Sequence, residues 1–178
     1  SDEFKSDNCD YLIITPGDVP LIDKSEIDKL IDAVTKNNSA LGLITAEVQN
    51  PSGYGRIVRN KEYAKKIVEE ADASEEEKSI NEINSGIYCV NKEFLISNIN
   101  TIKSDNAQNE FYLTDLIEIA FQNKQDAVIV QVIEDTIKGV NSMSQLNDVE
   151  DTLKEKLITS HMENGVYFQD PSTTYIDE

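Results

Sequence analysis

The sequence predicts an α/β fold, a sheet built from alternating strands and helices with a smaller mixed-sheet insertion. Three observations predict it. The apolar run Tyr11-Leu12-Ile13-Ile14 reads as a buried strand. After Pro20, Ile27, Leu30, Ile31 and Val34 fall at i, i+3, i+4 and i+7, one face of a helix. Ala40 to Val48 returns as a second strand, and strand–helix–strand alternation is the signature of an α/β sheet. At 178 residues the chain is long enough for one domain with a real core.

The remaining elements follow in order. Ser25 caps the first helix and Asn37-Asn38-Ser39 ends it. Asn50-Pro51-Ser52-Gly53 makes a turn. Arg56 to Arg59 and Lys66 to Glu69 form a pair of short strands around Asn60-Lys61-Glu62. Asp72 to Ser79 is acidic and aperiodic, an exposed loop with a helical turn. Glu82 to Val90 is strand-like on both sides of Ser85-Gly86, so Gly53 to Val90 becomes the insertion and one wall of a cleft. Lys92 to Ile99 reads as a short helix and Thr101 to Gln108 as a polar loop. Thr114 or Asp115 caps a helix with Leu116, Ile117, Ile119, Ala120 and Phe121 as its apolar positions. Ala127 to Ile133 is the last clear strand. From Ser142 to Met162 runs a long helix striped by Met143, Leu146, Val149, Leu153 and Leu157 and stopped at Asn164-Gly165.

Composition narrows the function. A formal net charge of −18 argues against nucleic acid or an anionic membrane as partner. No apolar run approaches the ~20 residues of a membrane-spanning helix. Cys9 and Cys89 have neither C-x-x-C spacing nor a nearby His, which argues against a zinc or redox centre; Cys89 reads as a buried strand residue. A reducing cytoplasm suits both thiols. The lone His161 sits near the C-terminal end of the long helix, where it complements the dipole. No Ser, Cys or paired acid stands near it, so it reads as structural, and no residue is assigned as a catalytic nucleophile or base.

Four short segments carry the chemistry. Gly17-Asp18-Val19-Pro20 delivers a carboxylate where the first strand ends, the place where open α/β sheets bind ligands. Gly53-Tyr54-Gly55-Arg56-Ile57, Glu82-Ile83-Asn84-Ser85-Gly86 and Gly139-Val140-Asn141 follow. With Asn106-Ala107-Gln108-Asn109-Glu110-Phe111-Tyr112-Leu113-Thr114-Asp115, they resemble the bacterial bifunctional N-acetylglucosamine-1-phosphate uridylyltransferase/glucosamine-1-phosphate acetyltransferase family. The likeness runs from about Tyr11 to the C-terminus. The end, Gly165 to Pro171 and then Thr174-Tyr175-Ile176, resembles the lead-in to that family's left-handed β-helix.

The resemblance implies a partial Rossmann-like nucleotidyltransferase sheet over residues 1–141, a linker helix over 142–164, and a lead-in over 165–178 to a β-helix that is absent here. It implies transfer of UMP from UTP to N-acetylglucosamine 1-phosphate, with pyrophosphate released, in the cytoplasm and toward peptidoglycan precursors. The attacking phosphate oxygen is already an anion, so positioning and charge neutralisation supply most of the acceleration. Mg²⁺ is the implied cofactor, with Asp18 and Asn141 at the positions of the family's two protein ligands. Gly17, Asp18, Gly55, Glu69, Asn84, Tyr112, Thr114 and Asn141 match its substrate-binding positions. A trimer through the absent β-helix is the implied assembly. Nothing here resembles the family's Gly-rich, Lys/Arg-bearing nucleotide loop, so the chain reads as an internal fragment, inactive alone. Pro16 stands just before Gly-Asp, where the family often has an aromatic or other residue; lacking an N–H, it loses any contact made there by an amide.

Each assignment has a plainer alternative. Asp18 suits an Asx turn before Pro20, and Asn141 suits N-capping around Ser142. Gly55 equally suits a hairpin. Glu70 competes with Glu69, which also suits a solvated strand position. Asn84 offers a donor and an acceptor for a hydroxyl or N-acetyl group, while Tyr112 and Thr114 equally suit core and cap. A glycosyltransferase would need a D-x-D pair, which Asp18-Val19-Pro20 does not provide. The non-enzymatic alternative is an inactive truncated domain that binds sugar phosphate or a partner only.

Overall fold

The computed structural model describes residues 8–176. Six strands form one mixed sheet: β1 (Tyr11–Ile14), β2 (Leu41–Glu47), β3 (Arg56–Asn60), β4 (Tyr63–Val68), β5 (Glu82–Asn91) and β6 (Ala127–Val132). The helices are α1 (Lys24–Asn37), α2 (Glu75–Lys78), α3 (Lys92–Asn98), α4 (Asp115–Gln122) and α5 (Met143–Glu163). Three short 3₁₀ turns lie at Ile99–Thr101, Glu134–Ile137 and Pro171–Thr173.

The ten-residue β5 organises the sheet. One edge pairs antiparallel with β2, which runs parallel to β6 on its far side. The other edge of β5 is shared. Its C-terminal half takes β1, with Tyr11 opposite Asn91 and Ile14 opposite Tyr88. Its N-terminal end takes β3, with Arg56 opposite Ile83. The insertion expected over Gly53 to Val90 is narrower than that: β5 belongs to the main sheet as its longest strand, and only the β3–β4 hairpin is added, extending that same sheet through β5. Glu82 fastens that junction, accepting hydrogen bonds from Thr45 Oγ1 at 2.6 Å and from Arg59 Nε at 2.5 Å and Nη2 at 2.6 Å.

Side chains alternate across the sheet, so each face carries a core. Leu41, Leu43, Tyr88 and Val90 face Phe94, Leu95, Leu116, Ile117 and Ala120, with Ile57 and Ile67 of the hairpin. Ile44, Ala46, Ile87, Cys89 and Val128 face Leu30 and Val34 of α1, with Ile83 and Ile137. Helices on both faces of a mixed sheet are the α/β architecture read from the sequence. Among the described residues no helix is long and apolar enough to cross a membrane. Cys89 is fully buried, and desolvation pushes its thiol up to about 11, so it is an inert core residue.

Two helices differ from the sequence reading. The first begins at Lys24 with Asp23 in the N-cap position; Ser25 lies inside the helix and its hydroxyl donates to Glu26. In α5, Val149 and Ile158 are the buried residues, while Met143 and Leu153 of the expected stripe are exposed. The helix is laid on the body at Val149 and Ile158 rather than along the whole five-residue stripe. The chain then doubles back at Gly165, where the Val166 N–H donates to the His161 carbonyl and the His161 ring meets Phe168 edge-on at 6.4 Å.

Candidate functional site

Gly86 is the pivot of the site. It sits inside β5 at φ +78°, and there the pairing with β2 slips by two residues: Leu43 faces Tyr88, but Thr45 faces Asn84. The bulge is held by Ser85, whose hydroxyl donates to the Ile44 carbonyl at 2.7 Å and accepts from Ile87 N at 3.1 Å. The loop leaving β1 crosses this kink. A Cβ on Gly86 would lie 2.9 Å from Cγ of Pro16, so only glycine lets Pro16 pass. The same bulge turns the Asn84 side chain, whose Oδ1 accepts from Gly86 N at 3.0 Å and from Tyr88 Oη at 2.9 Å.

Asp18 follows two residues after Pro16. Its carbonyl accepts from Val140 N at 2.8 Å, tying this loop to the segment before α5. Asp18 and Asn141 close on one point: the Cβ position of Gly139 lies 3.2 Å from Asp18 Oδ2 and 3.6 Å from Asn141 Nδ2. Both residues are exposed, and among the described residues neither side chain has a hydrogen-bond partner. The Asx turn is therefore not formed at Asp18. Capping of α5 falls to Ser142, whose Oγ accepts from Gln145 N at 3.2 Å. Gly17 is exposed with open space about it.

The other wall comes from the hairpin and α4. Gly55 is buried, and a Cβ there would lie 2.8 Å from Ile67 and 3.1 Å from Glu69 Oε2. Its carbonyl accepts from Asn84 N at 2.9 Å, which binds this wall to β5. Glu69 Oε1 accepts from the buried hydroxyl of Thr114 at 3.0 Å. Thr114 holds the N-cap position of α4 but makes no capping bond. Its side chain serves Glu69 instead.

The choice between the two adjacent glutamates has a geometric answer. Glu70 Oε2 accepts from Arg56 Nη2 at 2.6 Å and from Gly53 N at 3.2 Å, and the Arg56 guanidinium holds its carboxyl below the ordinary value. Arg56 is fully buried and also donates to the Tyr54 carbonyl. This pair shapes the Gly53-Tyr54-Gly55 turn, leaving Glu69 as the carboxylate at Gly55.

Tyr112 is half-buried and its hydroxyl donates to Gln108 Oε1 at 2.6 Å. Desolvation, then the carboxylates of Asp72 and Glu69, raise its phenol above the ordinary range. Asp72 reaches the same loop, accepting from Ala107 N at 2.9 Å. Asp115 is raised as well, by partial burial and then by Glu118 and Asp72.

The structure thus brings Gly55, Glu69, Asn84 and Thr114 into one cluster, with Tyr112 beside Glu69, and Asp18 and Asn141 into a second. Pro16 against Gly86 joins the two. Tyr88 escapes the sequence reading, and Arg56, noted there within Gly53-Tyr54-Gly55-Arg56-Ile57, is given no role. Tyr88 lies in an apolar run that reads as core, and its partner Asn84 is four residues back on the same strand, brought to the same side by the bulge.

A model of the nucleotidyl transferase family matches residues 1–136. The chain belongs to the nucleotidyl transferase family. Among its curated relatives, the bifunctional protein GlmU of Clostridium beijerinckii is 45% identical over 99% of this chain. The match covers 39% of that relative, so the chain spans about two-fifths of its length. Two solved structures share the fold. A CMP:2-keto-3-deoxy-manno-octonic acid synthetase complexed with CTP superposes with a TM-score of 0.61 at 14% identity, covering 87% of this chain and 66% of that one. A putative glucose-1-phosphate thymidylyltransferase from Bacillus anthracis gives 0.57 at 16% identity, covering 94% and 60%.

Proposed function

We propose that this chain is the sugar-phosphate and metal-binding part of a uridylyltransferase that moves UMP from UTP to N-acetylglucosamine 1-phosphate, releasing pyrophosphate. The observation that carries the proposal is the union of two clusters by one contact, Pro16 on Gly86. A polar wall of Glu69, Asn84 and Thr114 suits a sugar, and an oxygen-donor pair at a strand end suits a cation on its phosphate. Identity of 45% to a GlmU protein favours uridine and N-acetylglucosamine over other pairs.

Asp18 and Asn141 fit Mg²⁺. One carboxylate and one amide are hard oxygen donors, and both are exposed beside Gly139 with no protein partner among the described residues. No cluster of three or more His, Cys, Asp or Glu side chains able to hold a metal exists among the described residues, and with two protein donors most ligands there would be phosphate and water. That is how Mg²⁺ prefers to bind. Bound there, it would neutralise phosphate charge as the phosphorus–oxygen bonds exchange.

The chain's own groups do the rest. Glu69, held by Thr114, accepts from a sugar hydroxyl, and Gly55, without a Cβ, leaves room for that carboxylate beside Ile67. The attacking phosphate oxygen needs no general base, so the site orients rather than activates. UTP, N-acetylglucosamine 1-phosphate and varied divalent cations, given to the full-length protein, test this. The expected result is Mg²⁺-dependent pyrophosphate release with preference for the N-acetyl sugar. Equal rates with glucose 1-phosphate, or turnover in chelator, overturn it.

A further inference from the structure

We propose that Tyr88 is a specificity-determining positioning residue: with the Gly86 N–H it saturates the Asn84 side-chain oxygen, so that Asn84 meets its ligand only as a donor. The inference rests on the sugar-site reading above. Asn84 Oδ1 accepts at 3.0 Å from Gly86 N, a group that can only donate. The atom it faces is therefore the amide oxygen, and the orientation of the amide is fixed. Tyr88 Oη, 2.9 Å away, takes the second lone pair. The acceptor capacity of Asn84 is then exhausted within the protein.

The nitrogen is left over. Asn84 is half-buried, and its Nδ2 has no hydrogen-bond partner among the described residues. Tyr88 is 4% exposed, its ring lies in the core with Leu43 and Val90, and burial raises its phenol well above the ordinary value. It remains a protonated donor throughout any assay range. A ligand group facing Asn84 must consequently be an acceptor, such as a carbonyl oxygen. A ligand hydroxyl that needed to donate there would find no lone pair. Glu69, close by at Gly55, has the opposite character and can only accept.

The division predicts how substitutions alter sugar choice. Tyr88→Phe keeps the buried ring and frees one lone pair on Asn84, so the amide gains acceptor capacity and loses one of its two anchors. In the full-length protein, KM for N-acetylglucosamine 1-phosphate should rise about threefold to tenfold while KM for UTP moves less than twofold. Preference over glucose 1-phosphate should narrow by a similar factor. Asn84→Asp keeps both internal bonds and removes the donor, and it should weaken the N-acetyl sugar phosphate more than tenfold. Unchanged sugar preference in Tyr88→Phe, or near-normal KM in Asn84→Asp, overturns the inference. Asn84→Ala separates the two levels. If it too leaves the sugar-phosphate KM unaltered, the sugar site itself is misplaced; if it raises that KM while Tyr88→Phe leaves sugar preference unchanged, only the role of Tyr88 fails.

Discussion

Glu69 and Glu70 are neighbours whose side chains diverge, and the divergence yields a paired test. Glu69 is held by Thr114 at the buried glycine, whereas Glu70 is committed to Arg56 and Gly53. Glu69→Ala should raise KM for the sugar phosphate by roughly fivefold to a hundredfold, since a buried hydrogen bond to a charged group is worth about 1–3 kcal/mol. Glu70→Ala leaves the buried Arg56 without its carboxylate, so it should lower the unfolding midpoint instead. A midpoint shift in Glu69→Ala equal to that of Glu70→Ala would erase the distinction. Asp18→Asn removes the only carboxylate of the proposed Mg²⁺ pair and should depress turnover of the full-length protein by orders of magnitude. Near-normal rates at saturating Mg²⁺ would reject the assignment. At this scale the sequence was partly readable. Asp18 and Gly55 occur in turn and irregular stretches, and Asn84 stands beside Ser85-Gly86, where polar and glycine residues interrupt an otherwise apolar strand. Tyr88 sits in Ile87-Tyr88-Cys89-Val90, so apolar context conceals the hydrogen bond that places it in the site.

Among the elements, β5 carries the greatest consequence. Its slip around Ser85-Gly86 turns Asn84 into the cleft and makes room for Pro16, so one bulge positions both clusters. Gly86→Ala forces a β-carbon onto a φ of +78° and to 2.9 Å from the Pro16 ring. Urea unfolding should show a loss of about 1–3 kcal/mol. Sugar-phosphate and metal dependence should weaken together, because the Pro16–Asp18 loop moves with the strand. Undisturbed stability would mean that the loop does not rest on the bulge. The short α2 offers a pH test. Lys66, followed by the Ser74 cap, lowers the Glu77 carboxyl from 4.5 to about 2. A depressed folded value contributes stability above pH about 4.5 that is lost as pH falls toward about 2. For a side chain near the surface this amounts to about 1 kcal/mol. Glu77→Gln should flatten the acid limb of a stability–pH curve in that window, and an unaltered limb would refute the coupling. Element order was legible throughout, because the periods of two and 3.6 residues are local. The line along which α5 meets the body was not, since which of its apolar residues are buried depends on what lies beneath them.

The whole molecule is an acidic sheet with an open side. β1 pairs along one edge with β5, and among the described residues nothing pairs with its other edge, where apolar Ile13 is 38% exposed. An apolar edge strand presents unpaired N–H and carbonyl groups that favour association. At micromolar concentration the 178-residue chain should therefore run above monomer size in light scattering, and Ile13→Lys should shift it toward monomer. A strictly monomeric chain would mean that this edge is protected. The charge distribution adds a second expectation. Asp72, Glu69 and Glu110 gather around Tyr112, the net charge is −18, and the buried Arg56 is neutralised by Glu70. A triphosphate entering this part of the fold meets repulsion that one Mg²⁺ only partly offsets. The chain spans about two-fifths of its GlmU relative. The isolated chain should accordingly give no pyrophosphate from UTP, N-acetylglucosamine 1-phosphate and Mg²⁺, while the full-length protein does. Mass spectrometry of the assayed sample excludes a copurified longer species. Robust turnover by the pure 178-residue chain would show that these acidic walls hold the nucleotide unaided.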